Sequence, residues 1–333
     1  MSILVTGASG FIGQHVARTL AGRGVQIVAT GRSPAALAPL APLAAIGAHI
    51  VTANLATDSL ASLLRGCEAV VHCAAMAAPW GAKEAFIRDN IRATERLLEA
   101  AAEAGVRRFV HLSSPSIYAG FEDQLNIREP FTPPQRWTSI YGETKWISEQ
   151  CVLQPRFASL EPVVLRPRAV FGEGDRAIVP RVLAVARRGR FPLIRRGEAM
   201  IDVTYVANVV SAVERALETP RENAGHAYNI TNGEPMTVRR LLDRLFAALG
   251  LKVRYVPLPA TVALTLARIS EAIASLRANG AEPRLTQYGI ALLTYSLTLD
   301  ISAAREKLGY TPAVSVEEGL TRYAAWWRQH GAA

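Results

Sequence analysis

The 333-residue chain is half apolar and one-fifth charged, long enough to bury a sizeable core, and no stretch approaches the roughly 20 uninterrupted apolar residues that cross a bilayer. Three scattered cysteines, Cys67, Cys73 and Cys151, sit in apolar strand or helix patterns; a disulfide framework and a metal site are thereby excluded, and buried structural thiols are expected. The net charge is +9, from 37 Lys plus Arg against 28 Asp plus Glu, but the aromatic interleaving of a base-stacking surface is missing, which argues against nucleic acid.

Apolar, β-branched runs at 3–6, 26–30, 49–53, 69–75, 109–114 and 162–170 predict strands. Helix-period segments lie between them, including 11–21 and the Ala-, Leu- and Glu-rich 82–104, which Gly105 terminates. Strands alternating with helices predict an α/β fold, a Rossmann-type doubly wound parallel sheet. With its first strand starting almost at Met1, the chain leaves no room for a signal peptide, so a cytoplasmic location is expected.

Past Gly172 the pattern changes to mixed helices and short strands. Residues 1–172 are therefore expected to form the dinucleotide-binding unit, to which later segments return, and 173–333 mainly a smaller α/β substrate lobe. Within that lobe a strand is predicted at 228–231, a helix at 238–249 and a last helix from Ser315, whose Ser-Val-Glu-Glu run fits a capping box. The apolar period of 257–278 predicts a helix or helix pair packed into the lobe; a lid or a membrane-facing patch is the second reading. Arginines crowd 166–196, at Arg166, Arg168, Arg176, Arg181, Arg187, Arg188, Arg190, Arg195 and Arg196. They suit a solvated basic face or the attraction of an anionic substrate.

The chemistry sits in three places. Gly7, Gly10 and Gly13 lie between the first strand and the first helix, where a tight turn brings the backbone and a helix N-terminus to a pyrophosphate. After the second strand, Thr30-Gly31-Arg32-Ser33 carries no acidic residue for a ribose 2′-hydroxyl. Arg32 can instead pair with a 2′-phosphate and Ser33 add a hydroxyl, which predicts NADP in preference to NAD. Tyr141 and Lys145 stand four residues apart on one predicted helix face. Their expected roles are proton transfer by the phenol and lowering of its pKa by the ammonium. Ser114, at the carboxyl end of the fifth strand, is placed to bind the reacting oxygen.

These segments resemble the extended short-chain dehydrogenase/reductases of the epimerase/dehydratase superfamily, end to end. Also similar are His72-Cys-Ala-Ala75, Asn90 and Leu165-Arg-Pro-Arg-Ala-Val-Phe-Gly172. The 202–208 run, Tyr295 to Asp300 and Leu308 to Pro312 resemble the 3β-hydroxysteroid dehydrogenase-like branch. The resemblance implies Ser114, Tyr141 and Lys145 as catalytic residues, with Ser113 and Ser116 lesser candidates. It also implies cofactor contacts at Gly7, Gly10, Phe11, Ile12, Gly13, Arg32, Ser33, Asn54, Leu55, Ala74, Ala75, Tyr141, Lys145, Pro167 and Val170. Asn54 departs from the aspartate common at the adenine contact, and Ala207 replaces another common aspartate.

Trp80, Ser116, Trp137, Arg168 and Met200 are candidate substrate contacts, an apolar set with one arginine for a carboxylate. The expected activity is reduction of a ketone or oxidation of a secondary alcohol, on a steroid-like or β-keto/β-hydroxy acid substrate, by a homodimer; peripheral membrane contact stays open. Alternatives are a nucleotide-sugar epimerase or dehydratase that retains NAD, and a non-catalytic NADP-binding redox sensor.

Overall fold

A computed structural model describes residues 2–276, 282–283 and 285–331. Strands with apolar residues on both faces form a seven-stranded parallel sheet, as expected where helices cover each side. Across the sheet the order is His226–Ile230, Pro162–Pro167, Arg108–Leu112, Ala69–His72, Ser2–Thr6, Gln26–Gly31 and His49–Thr52. The chain winds outward in one direction from Ser2–Thr6 and, after His49–Thr52, in the other, so the carboxyl ends of Ser2–Thr6 and Ala69–His72 flank a topological switch point, where a crevice opens. Val5 pairs with both Ala29 and Val71 there.

Val16, Leu20, Ile27, Val71, Val110, Leu165, Val213 and Tyr228 contribute to one buried cluster of the core. Leu64, Leu97, Phe109 and Leu160 form another around the opposite sheet face. The helix Val206–Glu218, the strand His226–Ile230 and Tyr310 all pack with the N-terminal residues, so late segments return to the sheet. A separate cluster, including Phe171, Phe191, Phe246, Leu320 and Tyr323, holds the C-terminal lobe. In that lobe the helix Val238–Leu249 packs against Val316–His330, and Ser315 Oγ accepts from the Glu318 amide at 3.1 Å.

Two expectations change, and a third is borne out with an unexpected choice of packed face. The 162–170 run is two strands, because Ala169 takes φ 43° and turns the chain; Val170–Phe171 then pairs with Thr204–Tyr205. The 82–104 helix is α, then π over Ile87–Arg92, then α again, a local widening often found at functional sites. The 257–278 segment, whose end lies outside the described residues, is a helix over Ala260–Ser275 that packs through Ala263, Ala267 and the half-buried Leu264 against Ile194 and Ile290. Ala263, Ala267 and Ala274 are buried, whereas Val262, Leu266, Ile269 and Ile273 are exposed. No described helix is long and apolar enough to cross a membrane.

Candidate active site

The turn after Ser2–Thr6 is built by contacts that no larger residue permits. Gly7 has φ +64°, and a Cβ there would lie 2.6 Å from the Ala74 amide nitrogen; a Cβ on Gly13 would lie 2.2 Å from the Gly7 carbonyl oxygen. Helix Phe11–Gly22 therefore starts tight against the strand end, with Gly10 as its N-cap. The crevice is lined by Gly7, Gly10, Arg32, Asn54, Leu55, Ala74 and Ala75, together with Ser9, Thr30, Ala53, Cys73 and Asp89. Its glycine backbone, helix N-terminus and cation suit a dinucleotide.

Arg32 reaches this crevice, but Nη1 donates to Asp89 at 2.6 Å. Asp89 also accepts from Arg88 Nε at 2.7 Å. Ser33 is used locally: Oγ accepts from the Ala36 amide and caps a short helix. Asn54 Oδ1 likewise accepts from the Ala56 amide, while its own amide donates to Asp58. Phe11 packs against the C-terminal lobe cluster and Ile12 against the main core. Pro167 ends its strand opposite Ile230, and Val170 pairs with Thr204. Cys73 lines the crevice and is only partly buried by surface, which corrects the expectation of three buried thiols. Desolvation pushes its pKa up to about 12.

Ser139 caps the helix Ile140–Val152 by accepting from the Gly142 amide at 3.1 Å, and this fixes the register that carries Tyr141 and Lys145. Asn90 ties that helix to the crevice. Its Oδ1 accepts from the Met76 amide at 2.7 Å, and its Nδ2 donates to Met76 O at 3.2 Å and Thr144 Oγ1 at 3.0 Å. Ser114 caps the turn Pro115–Tyr118, accepting from the Ser116 amide, and Oγ approaches the Tyr141 phenol without a fully formed hydrogen bond.

Burial pushes the Tyr141 pKa up, and the nearby Ser114 hydroxyl opposes the shift. This reverses the expected lowering by Lys145. The lysine is turned toward the sheet, where Nζ donates to Leu112 O at 2.6 Å and lies 3.3 Å from His111 Nε2. Burial brings Lys145 down to about 8 despite the attraction of Glu149. Burial also holds His111 well below its usual range, with the Lys145 charge acting in the same direction, so the imidazole is neutral. Ser113 is committed elsewhere: Oγ donates to Glu149 Oε2 at 2.7 Å. Glu149 and Arg166 form a buried ion pair, and Arg166 also bonds Tyr118 Oη and Glu129 O. Arg166 and Arg168 are therefore interior residues and not part of a solvated basic face.

Trp80, Trp137 and Tyr141 line a second cavity with Phe86, Ile140 and Tyr288. Trp137 is half-buried and also packs beside Ile117 and Leu297. Ser116 and Arg168 approach this cavity through Tyr288, whose phenol feels both groups as well as Tyr141. Met200 is not among the lining residues; it sits in a short strand opposite Thr237, with its amide bonded to Ser296. Tyr288, Asp89 and His111 are the neighbours that the sequence motifs missed. Nothing local marks Tyr288, and only the three-dimensional fold brings it to Tyr141.

The NAD dependent epimerase/dehydratase family matches residues 3–231. A 2-alkyl-3-oxoalkanoate reductase from Stenotrophomonas maltophilia is 34% identical, covering 98% of this chain and 99% of the relative. A decarboxylating sterol-4-alpha-carboxylate 3-dehydrogenase from Saccharomyces cerevisiae is 31% identical over 77% of this chain and 76% of its own length. Among solved structures, MoeE5 in complex with UDP-glucose and NAD is 26% identical, covers the whole of both chains and has a TM-score of 0.77.

Proposed function

The chain belongs to the NAD-dependent epimerase/dehydratase family, and from that premise we propose that this enzyme is an NADP-preferring oxidoreductase that interconverts a hydrophobic ketone and a secondary alcohol through Ser114, Tyr141 and Lys145. The observation that carries the reading is the placement of Tyr141 at the cavity wall, beside Ser114 and on the same helix face as Lys145. Relatives named as a 3-oxoalkanoate reductase and a sterol carboxylate dehydrogenase support a β-keto or β-hydroxy acid, or a steroid-like molecule, as the substrate class.

A nicotinamide dinucleotide held by Gly7, Gly10 and Arg32 would supply or take up the hydride. In reduction, Ser114 orients the carbonyl oxygen and Tyr141 donates its phenolic proton as the oxygen becomes an alkoxide. The raised phenol pKa keeps that proton available well above neutrality. Lys145, near 8, retains a large share of its charge at neutral pH, and that charge is felt at Cys73 in the crevice wall. Trp80, Trp137 and Phe86 provide apolar walls. Arg32 uses one donor on Asp89, and among the described residues its other guanidinium donors have no hydrogen-bond partner, so they can take a 2′-phosphate. A cytoplasmic homodimer belongs to the same proposal, with residues 1–172 supplying most of the substrate side and residues 173–333 adding Glu271 and Tyr288.

A nucleotide-sugar epimerase with retained NAD is the competing reading, favoured by the similarity to MoeE5 in complex with UDP-glucose and NAD. Fluorescence titration with NADPH and NADH, with mass spectrometry of any cofactor released on denaturation, separates the two. Tighter, exchangeable NADPH binding is expected; NAD that copurifies and does not exchange would overturn the proposal in favour of the epimerase.

A further inference from the structure

Arg168 is 6% exposed, yet among the described residues its guanidinium has no hydrogen-bond acceptor and no ion pair. A buried cation left this way carries a desolvation cost that only a directly bonded anion offsets in full. Its neighbours do not supply one. Asp202 lies close enough to attract it, but Asp202 Oδ2 accepts from the Leu299 amide and the two side chains make no ion pair. The Arg168 carbonyl oxygen accepts from Thr204 Oγ1 at 2.6 Å, and its amide donates to Ile230 O at 3.0 Å, so the backbone that aims the side chain is fixed on both sides.

Two further polar groups converge on the same place. Among the described residues, Ser116 Oγ is buried without a formed hydrogen bond. Tyr288 lies beside both Arg168 and Ser116, and also beside Tyr141 in the wall of the second cavity. A guanidinium and a hydroxyl thus lie close behind a phenol of the cavity wall, next to the residue that handles the reacting oxygen.

We infer that Arg168, with Ser116 and Tyr288, forms a carboxylate subsite adjoining the reaction centre, and that the substrate is a 3-oxo acid or 3-hydroxy acid whose carboxylate lies one carbon from the reacting carbon. The inference rests on the oxidoreductase reading above and narrows it. Arg168 binds the two carboxylate oxygens, Ser116 and Tyr288 add hydroxyl donors, and the apolar chain extends along Trp80 and Trp137. In reduction, hydride adds to the C3 carbonyl carbon and the Tyr141 proton to its oxygen; the carboxylate is unchanged.

The test uses the purified full chain with NADP⁺ and two stable substrates, a long-chain 2-alkyl-3-hydroxy acid and its methyl ester. For the wild type, kcat/KM for the acid is expected to exceed that for the ester by at least about tenfold, the discrimination a buried charge-assisted pair provides. In Arg168→Met that ratio should collapse to within about threefold of one, with Arg168→Lys intermediate because a point charge replaces the planar fork. Equal use of acid and ester by the wild type overturns the subsite without needing a folded variant. Calorimetry of acid and ester binding to the NADP⁺ complex reads the subsite independently of turnover. Oxidation of neither compound, with the acid still bound preferentially, rejects the oxidoreductase reading while keeping the carboxylate subsite; no preference in binding or turnover rejects the subsite.

Discussion

Lys145→Met should make the cofactor-free protein more stable near neutral pH while abolishing its chemistry. Lys145 is 2% exposed, and the loss of hydration outweighs the pull of Glu149, bringing its pKa to about 8 from 10.5. Because the folded pKa is the lower one, the unfolded chain holds the proton more tightly. The penalty is therefore fully present below about pH 8, shrinks between about 8 and 10.5, and is absent above. A difference of that size corresponds to about 3 kcal/mol. Methionine has nearly the same length but loses the Nζ to Leu112 O bond of 2.6 Å, a loss of about 1 kcal/mol. The net expectation is a gain of about 2 kcal/mol near pH 7 that disappears by about pH 10. Urea unfolding of both proteins at the two pH values measures it. A variant less stable near pH 7, or a difference that does not change with pH, would mean that Lys145 is not held in the folded protein at a desolvation cost.

Gly13→Ala places a methyl group 2.2 Å from the Gly7 carbonyl, so the crevice must distort: a stability loss of about 1–3 kcal/mol and a loss of measurable dinucleotide binding are expected, by thermal unfolding and fluorescence titration. Arg32→Ala should weaken NADPH by about tenfold or more, as for a lost charge-assisted contact, and change NADH much less, by the same titration. Glu149→Gln leaves the buried Arg166 cation without its ion-pair partner; a loss of about 3 kcal/mol is expected by urea unfolding, and a cost below about 1 kcal/mol would show that the pair is not what holds this region.

Local signals were the legible ones. The glycine turn needs only neighbours in sequence, and the parallel sheet follows from apolar runs spaced by helices. Ser114 and Tyr141 were found by their positions at a strand end and on a helix face, and the structure brings them together. What depended on burial was not legible. Charge proximity suggested that Lys145 lowers Tyr141, but desolvation dominates for both groups and Lys145 faces Leu112 O. Arg32 was visible as a cation, whereas its pairing with Asp89 requires the helix after the fourth strand to fold back beside it. The period of the Ala260–Ser275 helix reveals two faces but not which one is covered; the small alanines allow close packing, and Val262, Leu266, Ile269 and Ile273 stay outside. Tyr288 carries no motif at all.

Tyr141→Phe removes a single hydroxyl from the cavity wall, and measuring carbonyl turnover and NADPH binding on one preparation separates proton transfer from cofactor binding. NADPH affinity should stay within about threefold while turnover of a hydrophobic 3-oxo substrate falls by about a hundredfold or more, as expected when the general acid is lost. Turnover near the wild-type level with NADPH still bound would contradict the general-acid role of Tyr141, because the proton would then come from another group.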